Sequence, residues 1–362
     1  MRTCTRCIMN DSADPTITFD ENGYCNYCTD ALAKINTTAY FPNEEGEKRL
    51  HALLDQVKKS GEGKPYDCIM GISGGLDSAY LAYLGWTWGL RILAVHVDDG
   101  YDTDVSKENV RKLVEKAGIK MITVTPDAEQ YNALLLAYMR AGVPNLAVPQ
   151  DNILLKCLFD AVKEYKILYF LSGDNFALEC VLQRGNTYQS MDVVNIRDIH
   201  KRFGTQPINK LKFISAYEKY YSTRVAGMHL EKPLNYIDYN RERAFRELKE
   251  FCGFEYYGRK HLENKFTAFL QLRWLPEKFG VDKRLSHLSS MIVSGQMTRE
   301  EALAEAARPI CEGVPMDEYV AEIKANMHLS DAEFEEIMRA PTHQHTEYKT
   351  DRLDAALRSV LH

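Results

Sequence analysis

Nowhere in these 362 residues does an uninterrupted apolar run approach the ~20 residues needed to cross a bilayer. The opening Met1-Arg2-Thr3-Cys4-Thr5-Arg6-Cys7 also lacks the apolar core of a secretory signal, so a cytoplasmic protein is expected. Positive charge is not in excess: 45 Lys and Arg stand against 51 Asp and Glu, a formal net charge of −6. Such a balance argues against a broad nucleic-acid-binding face, which draws its affinity from clustered cations. In a reducing compartment the nine cysteines are thiols or metal ligands and not disulfides. With 45% hydrophobic residues the chain can build about two domains with sizeable cores.

Four cysteines are spaced Cys4-x2-Cys7-x17-Cys25-x2-Cys28, within the window of a tetrathiolate zinc ribbon. Between the pairs, Phe19 to Tyr24 reads as a hairpin with Asn22-Gly23 at the bend, which brings one pair onto the other. Four thiolates complete a tetrahedron and leave no position for substrate, so the predicted site is structural Zn²⁺. An iron–sulfur cluster, a redox pair and unrelated thiols are the other readings of the same residues. Cys68, Cys157, Cys180, Cys252 and Cys311 have no CxxC partner and read as small buried hydrophobes.

The stretch Ser73-Gly74-Gly75-Leu76-Asp77-Ser78 follows the apolar run Cys68 to Ile72 and opens the helical pattern Ala79 to Leu84. Strand, glycine turn and helix N-terminus make an anion cradle with free N–H groups and two hydroxyl donors. No Lys follows the glycines, so this is not the G-x-x-x-x-G-K-[ST] loop. The segment resembles the SGGxDS signature of the ATP pyrophosphatases, which cleave ATP between the α and β phosphates and adenylate a substrate oxygen. Asp77 would repel a bound pyrophosphate unless Mg²⁺ bridged the two; its simpler role is a helix cap. Gly71-Ile72-Ser73-Gly74-Gly75 also matches the nucleophile elbow of α/β-hydrolases, but the downstream histidines offer no partner pair in order.

Further along, apolar runs alternate with helical patterns: Arg91 to Val97, a helix from Lys107, Met121 to Val124, a helix from Glu129, and Ile167 to Leu171. The alternation predicts βαβ units in a doubly wound parallel α/β sheet, with ligands at the carboxyl ends of its strands. Asp98 and Asp99 read as turn formers, and His96 as a core histidine. Gln150 to Cys157 reads as a helix capped by Asp151 or Asn152. The expected organisation is a ribbon over 1–36, a helical linker over 37–62, a nucleotide domain over 63–198 and a mainly helical substrate or partner domain over 199–362. In the ATP pyrophosphatases the backbone after the second strand and a glycine turn after the fourth hold the adenosine. The resemblance therefore points to Val97, Gly173 and Asn175, with Glu179 as a second Mg²⁺ ligand.

The ribbon, the SGGLDS loop and the run Trp274 to Arg284 followed by His287-Leu288-Ser289-Ser290 together resemble the N-acetyl sugar amidotransferases, surface-glycan enzymes similar to the WbpG and PseA proteins. The opening Cys-x-x-Cys-Ile-Met-Asn-Asp is also typical of them. The resemblance implies ATP- and Mg²⁺-dependent conversion of an acetamido group on a nucleotide-linked sugar to an acetamidino group. It further implies ammonia from a separate glutaminase with a barrel-like companion. The chain agrees, since residue 2 is Arg2 and no cysteine sits in a G-x-C-x-G elbow. Asp77 and Ser73 are the catalytic candidates, and Arg184, Lys283 and Arg284 the candidates for anionic substrate groups. The segments Tyr236 to Asn240 and Tyr257 to Lys265 are dense in polar and basic groups that could meet a sugar nucleotide. A tRNA-modifying, thiolation-type ATPase would join the same ribbon and loop but needs an RNA surface and reactive cysteines. An ATP-sensing scaffold is the non-enzymatic reading.

Overall fold

The computed structural model describes residues 1–12 and 14–351. Five parallel strands, β1 (Cys68–Gly71), β2 (Ile92–Val97), β3 (Lys120–Val124), β4 (Tyr169–Leu171) and β5 (His229–Glu231), lie in the order β3-β2-β1-β4-β5. In register, Met70 of the central strand faces Ala94 on one side and Leu171 on the other. The chain winds outward through β2 and β3, then returns to the far side of β1 for β4 and β5. The switch point between β1 and β4 is where such sheets open a crevice at their carboxyl ends.

Strand side chains alternate between two cores, as a sheet covered on both faces requires. Cys68 and Met70 pack toward α2 (Glu44–Ser60), α3 (Leu76–Thr87), α4 (Asp104–Ala117) and α10 (Arg241–Cys252). Ile69, Leu93 and Phe170 pack toward α6 (Val148–Tyr165). A third core gathers α5 (Ala128–Ala141), α8 (Val193–Phe203), α11 (Lys265–Phe269), α12 (Leu275–Phe279), α15 (Met316–Asn326) and α16 (Asp331–Arg339) around the fully buried Trp274. The Trp274 indole N–H donates to the Val143 carbonyl at 3.0 Å.

Two local features depart from the sequence reading. The fifth strand comes from the stretch past residue 198 that reads as mainly helical; three residues are too few to show a period. Neither Asp151 nor Asn152 caps α6. The cap lies four residues before Asp151, at Ala147, with Pro149 in the first turn, and the Asn145 side chain accepts the Ala147 N–H. The Thr298 and Ser330 capping boxes form as expected, opening α14 (Arg299–Ala306) and α16. No helix among the described residues is long and apolar enough to cross a membrane.

Between α11 and α12 the chain makes a π turn, Leu270–Trp274, directly before Pro276. Pro276 has no N–H to donate, and a wider turn relieves its ring's clash with the preceding carbonyls. The turn carries Gln271 into the crevice.

Candidate active site

The loop joining β1 to α3 is held by its own serines. Ser78 Oγ accepts the Ser73 N–H at 3.3 Å and donates to the Gly75 carbonyl at 3.2 Å. Ser73 Oγ accepts the Gly75 N–H, also at 3.2 Å. Gly74 sits at φ +79°, where a side chain is strained, and a Cβ there would lie 2.6 Å from the Ser106 carbonyl oxygen. Gly75 caps α3 without a side chain, and the first helical N–H, of Leu76, donates to the Tyr257 hydroxyl at 2.8 Å. Among the described residues Ser73 keeps only loop partners and no imidazole, so the hydrolase elbow finds no base there.

Above the loop lies a cleft of about 410 Å³ at the switch point. Ser73, Gly75, Leu76, Asp77, Ser78 and Val97 line it, as do Gly173, Glu179 and Lys283 from later in the chain. Gly74 and Asn175 act behind its surface. Asn175 is buried and caps the short α7 (Phe176–Glu179) by accepting the Leu178 N–H at 3.0 Å, which sets the turn that carries Gly173. Gly173 itself approaches so closely that a Cβ would sit 2.9 Å from the Ser78 amide nitrogen.

Two of the three basic candidates lie elsewhere. Arg184 is exposed on the cysteine ribbon, paired with Asp30 at 3.1 Å and stacked over Tyr27. Arg284 forks onto Asp282 and donates to the carbonyls of Ala306 and Arg308, outside the cleft. Sequence spacing gave no sign that both would be consumed by fold contacts.

Asp77 does not cap its helix. Its carboxylate accepts from the Tyr239 hydroxyl and pairs with Lys260, whose ammonium also reaches Glu179 at 3.1 Å. The two expected Mg²⁺ ligands therefore do converge on one cation, and that cation is Lys260 Nζ. Burial pushes Asp77 up, but Lys260 and the Tyr239 hydrogen bond outweigh it and hold the carboxyl below its usual range. Burial would lower Lys260; the two carboxylates reverse that and raise it. Glu179, with only a share of Lys260, stays above the usual range because burial dominates.

The strand-end acids divide. Asp99 accepts from the Tyr101 N–H, Gln150, Tyr131 and Asn264 and faces the cleft, fixing its wall. His96 is buried, with Nδ1 at 2.8 Å from the Ile72 carbonyl oxygen, as a core histidine.

The segment Tyr257 to Lys265 folds over the SGGLDS loop. Besides Lys260 it delivers His261, Glu263 and Asn264 to the cleft. Glu263 Oε1 occupies the space where a Gly75 Cβ would be, and its Oε2 is buried with no hydrogen-bond partner among the described residues. Burial raises Glu263 to about 7 and lowers His261 to about 3, so near neutrality Glu263 is poised to exchange a proton and His261 is uncharged. Burial also lowers Lys283 to about 8. The density of polar residues in this segment is its only sequence signal, and its Lys260 meets Asp77 of the loop and Glu179 of α7.

At the N-terminus the four sulfurs of Cys4, Cys7, Cys25 and Cys28 are buried and all lie within 4.8 Å of one another. Cys4–Cys28 and Cys7–Cys25 are 3.7 and 3.6 Å apart. Ligands at 2.3 Å around one tetrahedral ion stand about 3.8 Å from each other, so the donor set fits a single thiophilic ion. Backbone N–H groups of Arg6, Cys7 and Cys25 point at Cys4 Sγ, which favours the thiolate. The ribbon is docked firmly: Arg299 donates to the carbonyls of Cys4 and Cys7, both at 3.1 Å.

Residues 263–360 match the family described as LPS biosynthesis protein WbpG-like, C-terminal domain. The C-terminal segment is WbpG-like. The WbpG-like domain thus begins at Glu263, the residue set against Gly75, and also supplies Asn264, Gln271 and Lys283 to the cleft. A comparison with curated protein sequences finds no match. Among solved structures, the chain is similar to an NMN synthetase from Francisella tularensis (13% identity, 79% of this chain, 97% of that chain, TM-score 0.38). It is also similar to the U34-tRNA thiolase NcsA from Methanococcus maripaludis with its [4Fe-4S] cluster (16%, 87%, 92%, TM-score 0.36). A third is an NAD⁺ synthetase from Burkholderia pseudomallei (15%, 89%, 94%, TM-score 0.33).

Proposed function

We propose that this chain is an ATP-dependent amidotransferase that converts an acetamido group of a nucleotide-linked N-acetyl sugar to an acetamidino group in surface-glycan synthesis. The observation that carries the reading is the cleft itself, where the WbpG-like segment supplies the wall facing the SGGLDS loop. An amide oxygen is a poor leaving group, so it attacks the α phosphate of ATP and becomes an adenylate; ammonia then displaces AMP. In this scheme the loop amides and the Ser73 and Ser78 hydroxyls hold the departing pyrophosphate. Lys260 is aimed at the same region, and Glu263 accepts the proton that ammonia sheds on attack. Mg²⁺ would supply further charge at the phosphates, held by Asp77 and Glu179 once Lys260 turns to the nucleotide. Structural Zn²⁺ in the ribbon, and ammonia from a separate glutaminase with a barrel-like companion, complete the proposal.

The test is incubation with Mg-ATP, ammonium and a panel of UDP- and CMP-linked acetamido sugars, with AMP and pyrophosphate as readouts beside a Ser73→Ala, Asp77→Asn control. Sugar-dependent AMP from the unaltered protein alone is the expected result. AMP that appears with no sugar but on addition of tRNA would move the chain to RNA modification.

A further inference from the structure

Behind the cleft lies a second cavity of about 230 Å³. Lys260 and Gln271 line both spaces, and His261 on the cleft side touches His287 on the rear side with ring centroids 5.3 Å apart. Its charged walls are unevenly compensated. Lys260 is neutralised by Asp77 and Glu179, Arg284 by Asp282, and Arg308 by Glu305. Arg241 and Arg259 have no carboxylate within ion-pair distance among the described residues. Among the described residues the Arg241 guanidinium reaches only the Tyr256 hydroxyl and lies over its ring, and Arg259 Nη2 donates to the carbonyls of Ile310 and Glu312. Arg259 Nη1 is buried with no hydrogen-bond partner among the described residues.

A buried guanidinium N–H without a partner costs free energy, and the same lining carries a second guanidinium with no carboxylate partner among the described residues. A carboxylate or phosphate would relieve both, since either accepts the parallel N–H pairs of an Arg fork. We propose that the rear cavity is an anion subsite, held by Arg259 and Arg241, for a carboxylate or phosphate group of the molecule whose amide reacts in the cleft. Only the last clause rests on the amidotransferase reading; the anion site stands without it. The thin wall of Lys260 and Gln271 would let one elongated substrate occupy both spaces, its charged group anchored behind and its amide beside the loop.

The test is calorimetric titration with two probes, UDP for the phosphate source and glucuronate for the carboxylate source. Both are titrated with a non-hydrolysable ATP analogue and Mg²⁺ already saturating, so that the cleft is filled. The unaltered protein is expected to bind at least one probe, and Arg259→Met to weaken it tenfold or more while the ATP analogue binds as before. Because Arg259 also ties down two carbonyls, Arg241→Met serves as a second variant and is expected to weaken the same probe. The probe that binds names the source. Absence of binding by both probes, or unchanged affinity in both variants, overturns the proposal. If sugar-dependent AMP release survives that failure, the enzymatic reading stands alone; if a probe binds through Arg259 but no sugar releases AMP, the reverse holds.

Discussion

Replacing Lys260 with Met is the most direct probe of the site, because one ammonium holds two carboxylates that would otherwise face each other beside the SGGLDS loop. Coulomb's law over the 3.1 Å to Glu179, at an effective dielectric of about 20, gives about 5 kcal/mol for that contact. Desolvation of a side chain only 14% exposed subtracts from it, and removal of one partner from a buried pair typically costs about 3–5 kcal/mol. Lys260→Met should therefore lose about 3 kcal/mol at pH 8 and melt lower by on the order of 5 °C. The pH dependence has a definite sign. In the parent, Asp77 lies below its usual range, so its contribution is present above the unfolded value and is lost only as pH falls through the depressed one. In the variant both acids lose their cation and burial raises them. Stability then returns as they take up protons, and the gap to the parent narrows from pH 8 to pH 5. Millimolar Mg²⁺ should restore more of the melting temperature to the variant than to the parent, since a pair of bare carboxylates is its preferred ligand set. Equal melting of the two proteins at pH 8, or a gap that widens on acidification, would refute the electrostatic account.

Other expectations follow from single contacts. Glu263→Gln should raise the melting temperature at pH 8 and leave it unchanged at pH 4: a carboxyl raised to about 7 gives stability below the unfolded value and loses it as pH rises through 7, by about 1–3 kcal/mol. Gly75→Ala puts a methyl group against Glu263 Oε1 and should weaken ATP-analogue binding tenfold or more, measured by titration with no loss of helix signal. Arg184→Ala should leave the substrate KM unchanged, because its guanidinium serves Asp30 and Tyr27 on the ribbon; a raised KM would place it in the site after all. Elemental analysis of the purified protein should give one zinc per chain and no iron, lost on Cys4→Ser.

Much of the scaffold could be read from the chain because it rests on local periodicity. The runs at Ile92 and Lys120 form the strands they suggest, and the SGGLDS loop sits where a strand meets a helix. The four cysteines converge as their spacing suggests, because each CxxC pair is local in the chain and a short connection joins the two pairs. What could not be read is long-range. Lys260 lies 183 residues from Asp77, Tyr239 lies 162, and nothing in either neighbourhood announces the other. The partners of Arg184 and Arg284 are hidden in the same way: Asp30 and the carbonyls near Arg308 are brought to them only by the fold.

The ribbon is tied to both sides of the cleft by contacts far apart in the chain. Tyr27 and the buried Asp14 accept the backbone N–H groups of Arg184 and Gly185, and Val181 packs among the cysteines just two residues past Glu179. On the other side, the Ile8 N–H donates to Ser289 in α13 (Arg284–Val293), the helix that starts directly after Lys283. One metal-sized knot therefore braces both a carboxylate and an ammonium of the cleft without touching either. An ion held by the four thiolates would suit that task, since it would set their geometry where the surrounding core is too small to be rigid on its own.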